Sequence, residues 1–293
     1  MSCSSSDFSR AAFQRQLSFL SPAKINLFFR VLYKRDDGFH EVASLYQAIN
    51  LCDTLSVAFG EQDRFTCSNP ALKMDEHNLV MKALSIFRSK TGNCTPIQIH
   101  LEKKIPMEAG LGGGSSNAAT ALWAFSKLLE IDVSLEELLS WGALIGSDVP
   151  FFFSSGTAYC EGRGEKLSEV QPLPSFSSPI WIAKPSKIGL STPLVYSRCT
   201  PELYPQKDPK DSLLSFYTKT PSFYNDLEAG AFALLPFLKE FQEKLLSMGF
   251  EAVLMSGSGT AFFCIGAVHS SCMEGIEFFK VEPMQRKSEF WYQ

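Results

Sequence analysis

The residues best placed to do chemistry lie in Pro106-Met-Glu-Ala-Gly-Leu-Gly-Gly-Gly-Ser-Ser-Asn-Ala-Ala-Thr-Ala-Leu122, where a glycine and serine loop runs directly into a helical pattern. Gly110, Gly112, Gly113 and Gly114 allow backbone conformations closed to other residues and a close approach to a ligand, and Ser115 and Ser116 add hydroxyl donors. Ala118, Ala121, Leu122, Phe125, Leu128 and Leu129 then repeat at helical spacing. The unpaired N–H groups and positive dipole end of that helix therefore point into the loop, an arrangement suited to holding phosphate. A flexible linker would not be flanked by an amphipathic helix on one side and Ile-Pro-Met on the other. A P-loop needs a lysine before its serine, and none precedes Ser115. Gly110-x-Gly112-x-x-Ser115 approaches the dinucleotide fingerprint, with Asp132 downstream as an acidic residue. Its last glycine is missing, however, and the strand-like run Ile97 to Leu101 does not turn straight into the glycines.

Two further segments share the pattern of small and polar residues: Ser21-Pro-Ala-Lys-Ile-Asn-Leu27 near the N-terminus and Leu254-Met-Ser-Gly-Ser-Gly-Thr-Ala261 near the C-terminus. In content and order, the three blocks resemble the three motifs of the GHMP kinases, the superfamily of small-molecule ATP kinases that includes homoserine, mevalonate and galactose kinases. Within it, Pro22 to Leu27, Asp37-Gly-Phe-His40, Pro106 to Thr120 and Ser147-Asp-Val-Pro150 are similar to the branch whose acceptor alcohol carries a cytidine diphosphate. The resemblance covers roughly residues 20 to 265. It implies an α+β fold with the active site in a cleft between an N-terminal nucleotide-binding domain, residues 1–160, and a C-terminal domain, residues 161–293. The reaction it implies is ATP-dependent phosphorylation of an alcohol, with ATP and Mg2+ as cofactors. A mevalonate-type or homoserine-type acceptor and a dinucleotide-dependent oxidoreductase are the alternatives. A non-catalytic, ligand-sensing member would typically lose the base or the lysine, and both are present.

Roles follow from the matched motifs. Asp148, after the helix stop at Gly146 and before Val149-Pro150, reads by position alone as a turn aspartate; the resemblance makes it the catalytic base. Lys24, between Ala23 and Ile25, reads alone as a surface strand lysine; the resemblance makes it the partner of Asp148. Asn26 shares its strand face and is expected to bond the acceptor. The ATP site is expected to comprise Asn78, Leu79, Lys103, Pro106, Met107, Glu108, Ala109, Gly110, Leu111, Gly112, Gly113, Gly114, Ser115 and Ser116. Glu108 and Ala109 replace glycines that commonly precede the loop, and Glu108 brings a negative charge near ATP. His40 is assigned to the cytosine edge, with Phe39 and Tyr196 on opposite faces of the base. Phe39 stands where the family usually has tyrosine, which keeps stacking and loses a phenolic hydrogen bond. Thr192, Pro193, Gly257 and Ser258 complete the acceptor contacts. No acidic set of metal ligands is evident, so Mg2+ is expected to arrive with ATP, held by its phosphates and water and offered Ser116 as a protein contact.

The elements that must position these groups alternate between α and β. Leu27 to Tyr33 and Thr54 to Phe59 read as strands, and Asn78 to Arg88 as a helix with Leu79, Ala83, Ile86 and Phe87 on one face. Ser134-x-x-Glu137 is a capping box opening a helix that stops at Gly146. Gln171 to Pro179 reads as a surface loop, and Thr200 to Pro221 as irregular. The apolar stretch Ala252 to Val268 carries Ser256-Gly-Ser-Gly-Thr260 in its middle and is short for a bilayer, so it reads as two buried strands and a glycine turn. At 293 residues the chain has room for two subdomains with sizeable cores, and a net charge of −4 offers no field for nucleic acid or an anionic membrane. Eight cysteines without C-x-x-C pairs or histidine clusters read as reduced thiols of a bacterial-type cytoplasm. The first 18 residues, polar with Arg10 and Arg15, read as a disordered leader or as the product of an upstream start codon, since Pro22 follows too soon for a typical plastid presequence. Nothing in the sequence sets an oligomeric state.

Overall fold

The computed structural model describes residues 15–186, 188–218, 220–267, 274–286 and 292. Two long strands, β1 (Gln16–Lys34) and β2 (His40–Phe59), pair antiparallel along nearly their whole length. They form the spine of a seven-stranded mixed sheet. The far half of β2 pairs with β4 (Ile97–Glu102), which carries β3 (Arg64–Cys67) in parallel. The near half of β2 pairs with β5 (Thr157–Glu161) of the hairpin β5–β6, where β6 is Lys166–Glu169. The mostly antiparallel pairing excludes the doubly wound parallel sheet of a dinucleotide-binding oxidoreductase.

Three helices cover this sheet: α1 (Leu79–Thr91), α2 (Gly113–Leu128) and α3 (Leu135–Ile145). The helix α3 begins and ends where its sequence signals put it, whereas α1, expected over Asn78 to Arg88, starts one residue later and runs on to Thr91. Asn78 caps α1 by accepting Val80 N–H at 2.9 Å, Gly92 ends it in the left-handed conformation, and Ser134 with Glu137 forms the expected capping box on α3. A 3₁₀ turn at Pro150–Phe153 follows α3 and buries three phenylalanines against α2 and α3.

The chain leaves the first sheet after Glu169, crosses the irregular stretch 170–179, and begins a second, four-stranded antiparallel sheet in the order β11-β7-β10-β9. Here β7 is Ile180–Pro185, β9 Ala252–Met255, β10 Phe262–Ile265 and β11 Ile276–Val281. The expected domain boundary near residue 160 lies within β5. Helices α4 (Thr192–Tyr196), α5 (Pro209–Ser215), α6 (Leu227–Leu234) and α7 (Phe237–Ser247) belong to this half. A short strand, β8 (Tyr224–Asn225), returns to pair in parallel with Phe28–Phe29 of β1 and joins the halves. A continuous apolar layer seals them: Ile25, Leu27, Phe28 and Leu45 of the first sheet meet Ile182, Leu254 and Phe263 of the second. At about 25 cal/mol per Å² of apolar surface, fully burying each such side chain stabilises by roughly 1.5 to 3 kcal/mol.

Two expectations change and a third holds. The leader expected over the first 18 residues is shorter: Gln16, Leu17 and Ser18 pair with Ala58, Val57 and Ser56, because β1 continues upstream of the motif; residues 1–14 lie outside the described residues. The stretch from Thr200 to Pro221 contains α5, opened by Asp208, whose carboxylate accepts Lys210 N–H at 2.7 Å ahead of Pro209 at the first helical position. The apolar run from residue 252 forms β9, a turn and β10 as expected, with Val268 outside the described residues. Among the described residues no helix is long and apolar enough to cross a membrane.

Candidate active site

A cleft of about 1180 Å³ opens between the halves. One wall is the glycine loop and the N-terminus of α2. Gly112 caps that helix in the left-handed region, φ 68°, with no side-chain cap, so its first amides remain free for a ligand. Gly110, φ 75°, is required by crowding as well, since a Cβ there would lie 1.8 Å from the carbonyl oxygen of Ser256. The turn joining β9 and β10 is docked on the loop: Ser256 Oγ donates to the carbonyl of Gly110 at 3.1 Å, and Ala261 N–H to that of Ala109 at 3.2 Å. The first motif docks too, with Lys24 N–H donating to the carbonyl of Leu111 at 2.9 Å. Three segments far apart in the chain thus form one rigid wall.

Behind the loop lies a closed polar network. Asp53, fully buried on β2, accepts the backbone N–H of Lys104 at 2.7 Å, that of Ile105 at 2.8 Å, and the Asn117 amide at 2.9 Å. It also holds the Lys103 ammonium, which contacts Asn117 Oδ1 at 3.2 Å. Lys103 therefore borders the cleft with its charge already paired, and Asn78 borders it with its carbonyl oxygen spent on the helix cap. Ser116 does not reach the cleft. It is fully buried, 2.9 Å from Ser21 Oγ, because it lies one position further round α2 on the face turned to β1. The remaining loop residues, Pro106 through Ser115, and Leu79 line the opening.

Lys24 and Asp148 meet where the loop approaches β1. Lys24 alternates with the core residues Ala23 and Ile25, so the strand's period of two turns it to the cleft face, where it is 3 % exposed. Its Nζ donates to Asn26 Oδ1 at 2.7 Å, lies 3.6 Å from Asp148 Oδ2, and stands 4.5 Å above the Tyr46 ring. Asn26 donates in turn to Ser44 Oγ at 3.0 Å and is fully buried; it orients Lys24 and does not line the cleft. Asp148 receives a second hold from Tyr46, whose hydroxyl donates to Oδ1 at 3.1 Å. Burial, reinforced by Asp148, pushes the Tyr46 phenol well above its ordinary range, so it stays a protonated donor. The arrangement leaves a carboxylate pinned by a cation and a phenol, open to a ligand on the remaining side.

At the end of the cleft away from the glycine loop, His40 and Tyr196 pack ring to ring at 5.1 Å with a 30° tilt. Phe39 stands 52 % exposed, with the Arg163 guanidinium 4.8 Å from its ring centre. Burial, helped by Lys34 and opposed by Glu202, lowers the His40 pKa and keeps the imidazole neutral at neutral pH. Thr192 Oγ1 and Ser258 Oγ lie 2.7 Å apart and tie the start of α4 to the β9–β10 turn; Pro193 and Gly257 line the same wall. Among the described residues no group of three or more histidines, cysteines, aspartates or glutamates is arranged to hold a metal ion.

The sequence reading missed Tyr46, Asp53, Asn117 and Arg163. Tyr46 follows Ser44-Leu45 and precedes Gln47, and Asp53 sits between Cys52 and Thr54, so local pattern makes them a core aromatic and an ordinary polar strand position. No local signal singles out Asp53, because the same strand carries Glu41, Ser44, Gln47, Asn50, Thr54 and Ser56; burial is what forces it to find partners. Asn225 was missed too; its amide donates to the carbonyls of Met255 at 2.8 Å and Gly257 at 2.7 Å and fixes the third motif.

A glycine-flanked helix N-terminus, a pinned carboxylate and a lysine on a sheet face define a small-molecule kinase of the GHMP class. The family model "GHMP kinases N terminal domain" matches residues 78–156. The fold is also that of a mevalonate kinase structure, with a TM-score of 0.65 at 13% identity over 92% of this chain and 100% of the other. The chain is 48% identical over 272 residues to 4-diphosphocytidyl-2-C-methyl-D-erythritol kinase of Protochlamydia amoebophila (strain UWE25), covering 93% of this chain and 91% of that protein. It is 41% identical to the chloroplastic kinase of the same name from Arabidopsis thaliana, over 89% of this chain and 70% of the relative. A crystal structure of 4-(cytidine 5'-diphospho)-2C-methyl-D-erythritol kinase superposes with a TM-score of 0.73 at 32% identity, covering 91% and 99% of the two chains. The chain belongs to the 4-diphosphocytidyl-2-C-methyl-D-erythritol kinase family.

Proposed function

We propose that this protein transfers the γ-phosphoryl group of ATP to the 2-hydroxyl of 4-diphosphocytidyl-2-C-methyl-D-erythritol, giving the 2-phosphate and ADP in the non-mevalonate route to isoprenoid precursors. The observation that carries this reading is Asp148, pinned by Lys24 and Tyr46 between the glycine loop and the aromatic pocket. In this reading the acceptor hydroxyl meets Asp148, which takes its proton as the phosphoryl group arrives, and Lys24 offsets charge on the transferring oxygens. The free amides at the start of α2 hold the phosphates. Phosphoryl transfer passes through a loose transition state, so alignment by Tyr46 and Asn26 contributes alongside proton removal. The neutral imidazole of His40 offers one donor and one acceptor to a pyrimidine edge.

Mg2+ would enter with the nucleotide, supplying charge neutralisation on the phosphates. Asp148 and Glu108 are carboxylates that border the phosphate region, and Ser116 is withdrawn from it. The compartment this reading implies is a bacterial-type cytoplasm, in keeping with six free cysteines among the described residues; the plant relatives are named chloroplastic. The test is ADP release measured against the cytidyl substrate, mevalonate, homoserine and galactose. Turnover of the first alone is expected, and turnover of any of the other three alone would refute the assignment.

A further inference from the structure

The cleft contains a cation that neither the glycine loop nor the reacting pair employs. Arg163 stands at the tip of the β5–β6 hairpin, in Glu161-Gly-Arg-Gly-Glu165, with its guanidinium over the ring of Phe39. The same tip touches the reacting centre: a Cβ at Gly164 would lie 3.0 Å from the Tyr46 hydroxyl and 3.6 Å from Asp148 Oδ1. The hairpin tip therefore lies between Phe39 and the Tyr46–Asp148 pair, and Arg163 lines the cleft there. Its ties to protein are loose. The nearest carboxylate, Glu165, lies 4.0 Å from Nε, and the same Glu165 oxygen accepts the backbone N–H of Arg163 at 2.6 Å. Asp37, also within electrostatic reach, is held by Arg35 at 3.0 Å. The other deep cations of the cleft are committed, Lys103 to Asp53 and Lys24 to Asn26 and Asp148.

The acceptor named above carries two phosphates between its base and the reacting alcohol. A base at the aromatic end and a hydroxyl at Asp148 force that diphosphate through the space beside the hairpin tip. We propose that Arg163 is a specificity-determining residue that binds the diphosphate bridge and selects a nucleoside diphosphate-linked alcohol over an uncharged cytidine conjugate. This rests on the substrate reading of the preceding subsection. A guanidinium presents a planar fork that matches phosphate oxygens two at a time, and stacking on Phe39 holds the fork in place before the ligand arrives.

The experiment measures dissociation constants of CDP and of cytidine by calorimetry, with the nucleotide site filled by a non-hydrolysable ATP analogue, for the parent, Arg163→Gln and Arg163→Lys. Arg163→Gln is expected to weaken CDP by about tenfold to a hundredfold while cytidine stays within about twofold, and Arg163→Lys to recover part of the loss. Added salt should weaken CDP more in the parent than in Arg163→Gln. Equal losses for cytidine and CDP would overturn the proposal, because Arg163 would then act only as a support for Phe39. So would an unchanged affinity for CDP. A parent that binds neither CDP nor cytidine would instead overturn the cytidine diphosphate substrate itself.

Discussion

At the glycine-loop end of the cleft the polar side chains are largely spent on one another, whereas at the Phe39 and Arg163 end several groups stay open to a ligand. Asp53, Lys103, Asn117, Ser21 and Ser116 form a closed set in which each buried group has a partner. Phe39 and Arg163 stack on each other in partial contact with solvent, and Thr192 and Ser258 share a single exposed contact. Under the proposed function, the difference reflects what each end would recognise. Phosphates held by backbone amides need an immobile loop, and immobility comes from satisfied polar groups behind it. A base and a diphosphate are read by side chains, which must keep unsatisfied donors and uncovered faces until the ligand binds.

Asp148, between the ends, should give the largest effect. Asp148→Asn keeps shape and removes charge, so kcat is expected to fall about 10² to 10⁴-fold with both substrate affinities nearly preserved. Lys24→Ala should lose a similar factor, and the double variant much less than the product, since the groups lie 3.6 Å apart and act on one oxygen. Single-turnover kinetics would reveal independent roles as factors that multiply.

Next comes the closed network. Asp53→Ala leaves the Lys103 ammonium buried without its partner and strips two backbone N–H groups of their acceptor, at an expected cost of about 3 to 5 kcal/mol in urea unfolding. A loss below about 1 kcal/mol would mean that water replaces Asp53 freely, and the contrast between the ends would collapse.

The acceptor end should respond more mildly and in binding alone. Tyr196→Ala removes the aromatic wall packed on His40, and KM for the acceptor is expected to rise by an amount worth roughly 1 to 3 kcal/mol with KM for ATP unchanged. A change confined to ATP would contradict the division.

Tyr46→Phe should show the smallest effect, a fall in kcat of about three- to tenfold, because it deletes one of the two groups that hold Asp148 and keeps the ring beneath Lys24. Unchanged turnover would show that Lys24 alone aligns the carboxylate.

Much of this was legible in the sequence. The glycine loop, the capping box at Ser134 and the two-strand reading of the stretch from Ala252 are local features, fixed by glycine conformation, cap chemistry and hydrophobic period. The pairing of Lys24 with Asp148 was legible only through resemblance, since 124 positions separate them and no local rule joins a strand lysine to a turn aspartate. Tertiary structure alone decided which matched residues face the cleft. Ser116 and Asn26 belong to the right motifs, yet the helix face and the strand's hydrogen bonds turn them inward, because buried polar groups must find partners wherever packing puts them. It also brought Arg163 beside Phe39, a contact between a hairpin tip and a distant turn that depends on the register of β5 against β2. Sequence set the chemistry each segment can offer, and packing of the two sheets chose which of those groups meet.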